Sequence, residues 1–107
     1  MFYSKDNLAH IAGDELENMI ETNLLNIIDV REKYELDICS CPGARHIPFN
    51  TLLRTYQELL DKDTIYYILC HTGQRSHYIT KFLTQEGYNA INVLGGIRIM
   101  KKHYVRY

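Results

Sequence analysis

The chain has 107 residues, of which 46% are hydrophobic and 23% are charged, and its formal net charge at pH 7 is −1. A chain of this length fits one domain with one packed core, and we expect a single domain over residues 1–107. The near-neutral charge argues against nucleic-acid or anionic-membrane partners, and no apolar run approaches the roughly 20 residues of a membrane-spanning helix.

Apolar segments alternate with segments of helical periodicity in the first half of the chain. Residues 8–11 predict a short first strand, and the acidic segment 14–21 predicts a helix. Residues 24–30 predict a second strand that is buried on both faces. Residues 39–48 predict a loop, in which residues 45–47 could form a short edge strand.

The second half continues the alternation. Residues 50–60 predict a helix, and residues 64–69 predict the central strand because they are rich in aromatic and β-branched side chains. Residues 76–86 predict the next helix, and residues 90–94 predict the last strand. A terminal helix is expected from about residue 97 to residue 104. Strands that alternate with helices predict an α/β domain with a mainly parallel sheet.

The most informative motif directly follows the central strand, where a cysteine opens a short glycine-containing loop before a helix. Ligands of open α/β sheets bind beyond the carboxyl ends of strands. Loop amides and a helix N-terminus favour negative charge, and such settings favour the nucleophilic thiolate form of cysteine. The motif therefore predicts covalent chemistry through the cysteine, or the binding of an anion, by Cys70, His71, Thr72, Gly73, Gln74, Arg75 and Ser76.

Three residues of this loop have separate expected roles. Arg75 carries a permanent positive charge and is predicted to point across the loop at a bound anion. Gly73 is expected to supply the backbone freedom of a tight turn. His71 is expected to set the charge at the entrance rather than to act as a general base, and the amides of residues 71–75 are the expected anion donors.

Asp29 lies at the end of the second strand, at the same sheet edge as the cysteine loop. We expect it to have a structural role, either as the N-cap of a helix that begins near Glu32 or as an acceptor of N–H bonds that hold the loop from beneath. Arg31 either pairs with a nearby carboxylate or faces the mouth of the site, and the sequence leaves these two alternatives open.

Cysteine usage indicates a reducing compartment, since three cysteines cannot all pair within one chain. The amino terminus lacks the regions of a signal peptide, so we expect a cytoplasmic protein. Cys39 and Cys41 are too sparse for a four-ligand zinc site, and His10 and His46 show no ligand spacing. We expect no metal and no cofactor. The two cysteines are interpreted as plain loop residues, with a sulfur-relay thiol as the alternative.

Five segments occur along the chain in this order: Ile28-Asp29-Val30-Arg31-Glu32, His46-Ile47-Pro48, the Cys70 loop, Gly87-Tyr88 and Leu94-Gly95-Gly96-Ile97. Together they resemble the corresponding segments of rhodanese domains. The resemblance implies a five-stranded, mainly parallel sheet flanked by helices. It also implies a sulfurtransferase in which Cys70 takes a sulfane sulfur from thiosulfate or a persulfide donor and passes it, as a persulfide, to a thiol or cyanide acceptor. A protein partner in a sulfur relay is compatible with it.

Two alternatives remain beside the sulfurtransferase. Phosphatases and arsenate reductases of related fold need five residues between cysteine and arginine, whereas four separate Cys70 from Arg75. Rhodanese-like binding modules without activity commonly lose the cysteine, which this chain keeps. One departure from the family concerns packing: the usual tryptophan after the Gly-Gly pair is missing, so Met100 or a neighbour must fill its space.

Overall fold

The computed structural model describes residues 1–101 of the chain. The strands are β1 (Phe2–Tyr3), β2 (Ala9–Ala12), β3 (Asn26–Asp29), β4 (Arg45–His46), β5 (Ile65–Leu69) and β6 (Asn89–Leu94). The helices are α1 (Gly13–Ile20), α2 (Lys33–Ile38), α3 (Phe49–Leu59), α4 (Gln74–Gln85) and a 3₁₀ helix at Gly96–Ile99.

The strands form one sheet in the order β1-β2-β6-β5-β3-β4. β1 pairs with β2 in antiparallel fashion, and every other neighbouring pair is parallel. The predicted α/β class with a mainly parallel sheet is confirmed, although the sheet has six strands rather than five. The additional strand is β1, whose two residues are exposed and carry no apolar alternation by which a sequence pattern reveals a strand.

Two hydrophobic clusters lie on opposite faces of the sheet. Successive strand residues point to opposite faces, so Ile28 and Ile68 pack in one cluster while Ile27 and Leu69 pack in the other. The first cluster also holds Cys70, and it contains buried residues of α3 and α4. Burial of both faces explains why the sequences of the parallel strands are apolar without alternation.

Most element boundaries differ from the predicted ones by at most two residues, as at β3, which begins at Asn26 instead of residue 24, and at α4. α4 begins at Gln74, two residues before the predicted start, because Gly73 at its N-cap has φ +99° and turns the chain into the helix early. The predicted terminal helix is a 3₁₀ helix at Gly96–Ile99, and its predicted residues beyond 101 lie outside the described part of the chain. Met100 is buried in the same hydrophobic cluster as Ile97.

Within residues 1–101, none of the helices has both the length and the apolar character that crossing a membrane requires.

Candidate active site

The carboxyl ends of two neighbouring strands carry Cys70 and Asp29. β3 pairs with β5 in a register that places Asp29 opposite Leu69, and Cys70 follows directly. Both side chains are buried, each with 1% of its residue surface exposed. The expectation that these two residues share one edge of the sheet is confirmed.

Backbone amides of the loop converge on the cysteine sulfur. Cys70 Sγ accepts N–H bonds from Gly73 at 3.1 Å and from Ser76 at 3.4 Å, and its S–H donates to Ser76 Oγ at 3.3 Å. Gly73 can turn the loop in this way because its φ of +99° lies in the region that side chains disfavour. The loop thus surrounds the sulfur with fixed donors at the start of α4.

The 3₁₀ helix holds this loop from the other side. Ile97 N–H donates to the Cys70 carbonyl at 3.0 Å, and Arg98 N–H donates to the His71 carbonyl at 3.1 Å. Gly96 permits this approach, because a Cβ at Gly96 would lie 2.4 Å from the His71 carbonyl oxygen. Gly96 of the Gly-Gly pair therefore lets the 3₁₀ helix pack closely against the backbone of the loop.

Arg75, which was predicted to point across the loop, forms an ion pair with α2. Its two guanidinium nitrogens Nη1 and Nη2 each donate to a Glu35 carboxylate oxygen at 2.9 Å. The hydrogen bond from Arg75 lowers the pKa of Glu35, and the carboxylate in turn raises the pKa of Arg75. The Arg75 side chain keeps 36% of its surface exposed at the rim of the loop.

Asp29 and Arg31 form a buried ion pair, which settles the alternative left open for Arg31. Arg31 donates from Nη2 to Asp29 Oδ2 at 2.8 Å, and from Nε and the backbone N–H to Oδ1, each at 3.0 Å. The prediction that Asp29 caps a helix is wrong, since the N-cap of α2 is Glu32, in a capping box with Glu35. The carboxylate is instead needed to neutralise a guanidinium that is 1% exposed.

We call Asp29, Arg31, Glu35 and Arg75 the charged flank of the loop. Arg31 connects the Asp29–Arg31 pair to the Glu35–Arg75 pair, since it also donates to the Glu35 backbone carbonyl at 3.3 Å. Arg31 further donates to the Cys39 carbonyl at 2.8 Å, so the charged flank organises the loop after α2 as well.

On the opposite side, three uncharged residues form a buried chain of hydrogen bonds that begins at the sulfur. Ser76 Oγ, bonded to Cys70 Sγ, donates to Asn92 Oδ1 at 2.5 Å, and Asn92 Nδ2 lies 3.1 Å from His10 Nδ1. We call Ser76, Asn92 and His10 the neutral flank. Sequence reasoning missed Asn92 and gave His10 no such role. The available signal was that each of them is a polar residue within an otherwise apolar strand.

The other two cysteines are free thiols in different surroundings. Cys41 is buried, and burial raises the pKa of its thiol to about 12. Cys39 is half-buried, with Arg31 Nη1 3.9 Å from its sulfur. The relay alternative for these cysteines therefore concerns Cys39, because the thiol of Cys41 is held in its protonated form.

Two open pockets flank the loop, one on each side. One, of about 230 Å³, is lined by Glu35, Cys39 and His71 on the charged flank. The other, of about 400 Å³, is lined by Thr72, Gln74 and residues of the neutral flank. His71, Thr72 and Gln74 are all exposed beside these two pockets.

Comparisons with known proteins found a matching family model and similar sequences. The family model described as Rhodanese-like domain matches residues 12–103. YrkF of Bacillus subtilis (strain 168), named as a candidate sulfur carrier protein, is 40% identical over 101 residues that cover 90% of this chain and 54% of YrkF. YtwF of the same organism, named as a candidate sulfurtransferase, is 38% identical over 91 residues that cover 84% of this chain and 87% of YtwF.

A solved structure shows the same fold. The rhodanese-like domain protein from Staphylococcus aureus superposes with a TM-score of 0.79 at 30% identity, covering 94% of this chain and all of that one. This chain spans about half the length of YrkF, so its likeness to that protein concerns one part of it.

Proposed function

The chain belongs to the rhodanese-like domain family, and from this premise and the geometry of the loop we propose that it is a sulfurtransferase that carries sulfur as a persulfide on Cys70. One observation carries the proposal. The amides of Gly73 and Ser76 point at Cys70 Sγ, so donors for a negative sulfur are in place before any reaction.

The proposed reaction has two half-reactions that share one covalent intermediate. With thiosulfate as donor, the Cys70 thiolate attacks the outer sulfur, the S–S bond of thiosulfate breaks, and sulfite leaves with the bonding electrons. A thiolate or cyanide acceptor then attacks the outer sulfur of the persulfide, and the Cys70 thiolate leaves. No net oxidation occurs, and the enzyme returns to its starting state, which predicts ping-pong kinetics.

The charged flank is proposed to bind the donor. Arg75 lies at the rim with a partly exposed guanidinium, whose planar donors suit the oxygens of a sulfonate group. Glu35 already occupies those donors, so the donor anion must share or displace this carboxylate. A small-molecule or protein persulfide can approach the same rim, where His71 is exposed.

The proposal is tested by the intact mass of the protein after incubation with thiosulfate. We expect the wild type to gain the mass of one sulfur atom and to lose it again on addition of cyanide, with release of thiocyanate. Cys70→Ser should gain nothing, because a serine alkoxide is not accessible near neutral pH.

Cys39→Ser is the matched control, because it removes a thiol on the same side of the molecule that is more exposed than Cys70. It should load sulfur like the wild type. Absence of a mass gain in the wild type would reject the persulfide mechanism in favour of a binding module. A gain that persists in Cys70→Ser would place the sulfur on another residue and reject Cys70 as its carrier. Loss of loading in Cys39→Ser would make that thiol part of a relay.

A further inference from the structure

Outside the loop, three side chains that are distant in the sequence form a cluster of metal-ligating groups. Asp6 lies in the turn between β1 and β2, His10 lies on β2, and His77 lies on α4. One ligand atom from each residue, a carboxylate oxygen or an imidazole nitrogen, lies within 4.8 Å of the other two. His77 Nε2 and Asp6 Oδ2 are 3.9 Å apart.

The cluster combines one fixed residue with two adjustable ones. His10 is 5% exposed, stacks on Phe2 at 5.2 Å between ring centroids, and is bonded through Nδ1 to Asn92, so a cation would bind its Nε2. The side chains of His77 and Asp6 are 48% and 45% exposed. They can therefore move the short distance that separates the present spacing from the roughly 3.3 Å between ligand atoms around a tetrahedral zinc ion.

We propose that Asp6, His10 and His77 bind a divalent cation of the zinc type, with a fourth position open to solvent. Two imidazoles and one carboxylate form a ligand set that suits zinc, and three protein ligands leave one position free. The pocket of about 400 Å³ beside Thr72 and Gln74 provides the space for that position. The site lies on the neutral flank and does not depend on the proposed function.

The proposal has a consequence for the sulfur, and this consequence rests on the proposed function. In the structure the hydrogen bonds point away from Cys70. Its S–H donates to Ser76, the Ser76 hydroxyl donates to Asn92 Oδ1, and Asn92 Nδ2 donates to His10 Nδ1. Because His10 Nδ1 accepts from this amide, the single proton of the neutral ring is on Nε2.

A cation bound to His10 Nε2 reverses the direction of these hydrogen bonds. The ring proton must then be on Nδ1, where it requires an acceptor. Asn92 supplies one by turning its amide so that Oδ1 faces His10, and its Nδ2 then donates to Ser76 Oγ. The Ser76 hydroxyl then donates a hydrogen bond to the sulfur, in addition to the two backbone amides, and the thiol proton is released to water. Metal binding therefore favours the thiolate of Cys70.

Metal binding is tested with Zn²⁺ alone, followed through the imidazole resonances in NMR spectra of the full chain. We expect one equivalent to shift the resonances of His10 and His77, and to place the ring proton of His10 on Nδ1. His77→Gln and Asp6→Asn should each weaken binding about tenfold or more. His71→Gln is the matched control, since it removes an exposed histidine of the same loop region and should leave the affinity unchanged. Unaltered affinity in His77→Gln and Asp6→Asn, absence of binding, or binding that is lost only in Cys70→Ser would overturn the site.

The coupling is tested by the rate at which iodoacetamide alkylates Cys70 at pH 7, with and without Zn²⁺. We expect Zn²⁺ to raise the rate about tenfold, the effect of one hydrogen bond to a charged sulfur. Ser76→Ala cuts the chain while keeping the amides on the sulfur, so it should bind Zn²⁺ and show no acceleration. Acceleration that persists in Ser76→Ala, or Zn²⁺ binding without acceleration of the wild type, would overturn the coupling. Neither result affects the thiosulfate mass experiment, so failure of the coupling and failure of the proposed function are distinguishable.

Discussion

The two flanks of the Cys70 loop differ in how they relate to the sulfur. The charged flank makes two ion pairs close to the loop, and none of the hydrogen bonds described here joins these side chains to the sulfur. The neutral flank is bonded to the sulfur directly through Ser76, and its Ser76 and Asn92 are completely buried. Ion pairs thus lie on one side of the loop, and uncharged hydrogen-bonding groups contact the sulfur on the other.

This difference has a physical reason. A full charge inside the protein needs a partner, as the Asp29–Arg31 pair illustrates, whereas a hydroxyl and an amide can be buried once their hydrogen bonds are satisfied. A hydroxyl can also rotate between donor and acceptor roles, which a guanidinium cannot. The comparison predicts that damage to the charged flank affects stability and donor use, while damage to the neutral flank affects the sulfur itself.

The largest effect is expected where the charged flank is buried. Asp29→Ala leaves the guanidinium of Arg31, which is 1% exposed, without its carboxylate. We expect a loss of about 3–5 kcal/mol in the free energy of unfolding, measured by urea denaturation. Glu15→Gln is the control, because it removes an ion pair with the amino terminus that is about half exposed and should cost below about 1 kcal/mol. Equal losses in both variants would contradict the assignment of the buried pair.

The next largest effect is expected for Gly96→Ala, which affects both flanks because it displaces the loop backbone between them. In Gly96→Ala the added Cβ would lie 2.4 Å from the His71 carbonyl oxygen, at a φ of +61°. We expect a stability loss of about 2–4 kcal/mol and slower sulfur loading, measured by urea denaturation and by intact mass.

Gly43→Ala separates backbone strain from contact. Gly43 has a similar φ of +77°, and nothing lies within 4 Å of its would-be Cβ. It should therefore lose only about 1–2 kcal/mol and keep normal sulfur loading. A Gly96→Ala variant that behaves like Gly43→Ala would show that the close approach of the 3₁₀ helix to the loop is unimportant.

Arg75→Ala tests whether the charged flank binds the sulfur donor without affecting the sulfur of Cys70. It removes the hydrogen bond that we propose Arg75 donates to the sulfur donor, worth about 1.5–3 kcal/mol, so kcat/KM for thiosulfate should fall about ten- to a hundredfold. The rate of alkylation of Cys70 by uncharged iodoacetamide should change little, since Arg75 donates to Glu35 rather than to the sulfur. A matching fall in the alkylation rate would mean that the charged flank also controls the thiolate.

The smallest expected effect is the pH dependence of the Glu35–Arg75 pair. Arg75 lowers the pKa of Glu35 from its ordinary value of 4.5. The unfolded chain therefore binds more protons than the folded chain, so this contribution is present above about pH 4.5 and is lost as the pH falls through the lowered pKa. It should amount to less than about 1 kcal/mol, because the Arg75 side chain is 36% exposed.

The measurement for this pair is the thermal midpoint as a function of pH. The wild type should lose slightly more stability than Glu35→Gln between pH 5 and the acid transition, and the two curves should run parallel above that range. Parallel curves throughout would show that the ion pair is not maintained in solution.

Local signals in the sequence determined the elements that carry the site. The apolar run at residues 64–69 predicted the strand found at Ile65–Leu69, and the cysteine and glycine after it predicted the loop. These predictions succeed because a buried parallel strand and a tight turn depend on residues that are neighbours in the chain. The sequence also indicated that Asp29 and Cys70 share a sheet edge, since parallel strands end at the same side.

The tertiary structure alone decided which side chains meet. Glu35 binds Arg75, Asn92 joins Ser76 to His10, and Asp6 approaches His77, each between segments that are distant in the sequence. No periodicity encodes such contacts, because they depend on the order of strands in the sheet and on the rotation of helices packed against it. The sequence by itself therefore determined where Cys70 lies in the fold, and the packing of distant segments decided which groups surround its sulfur.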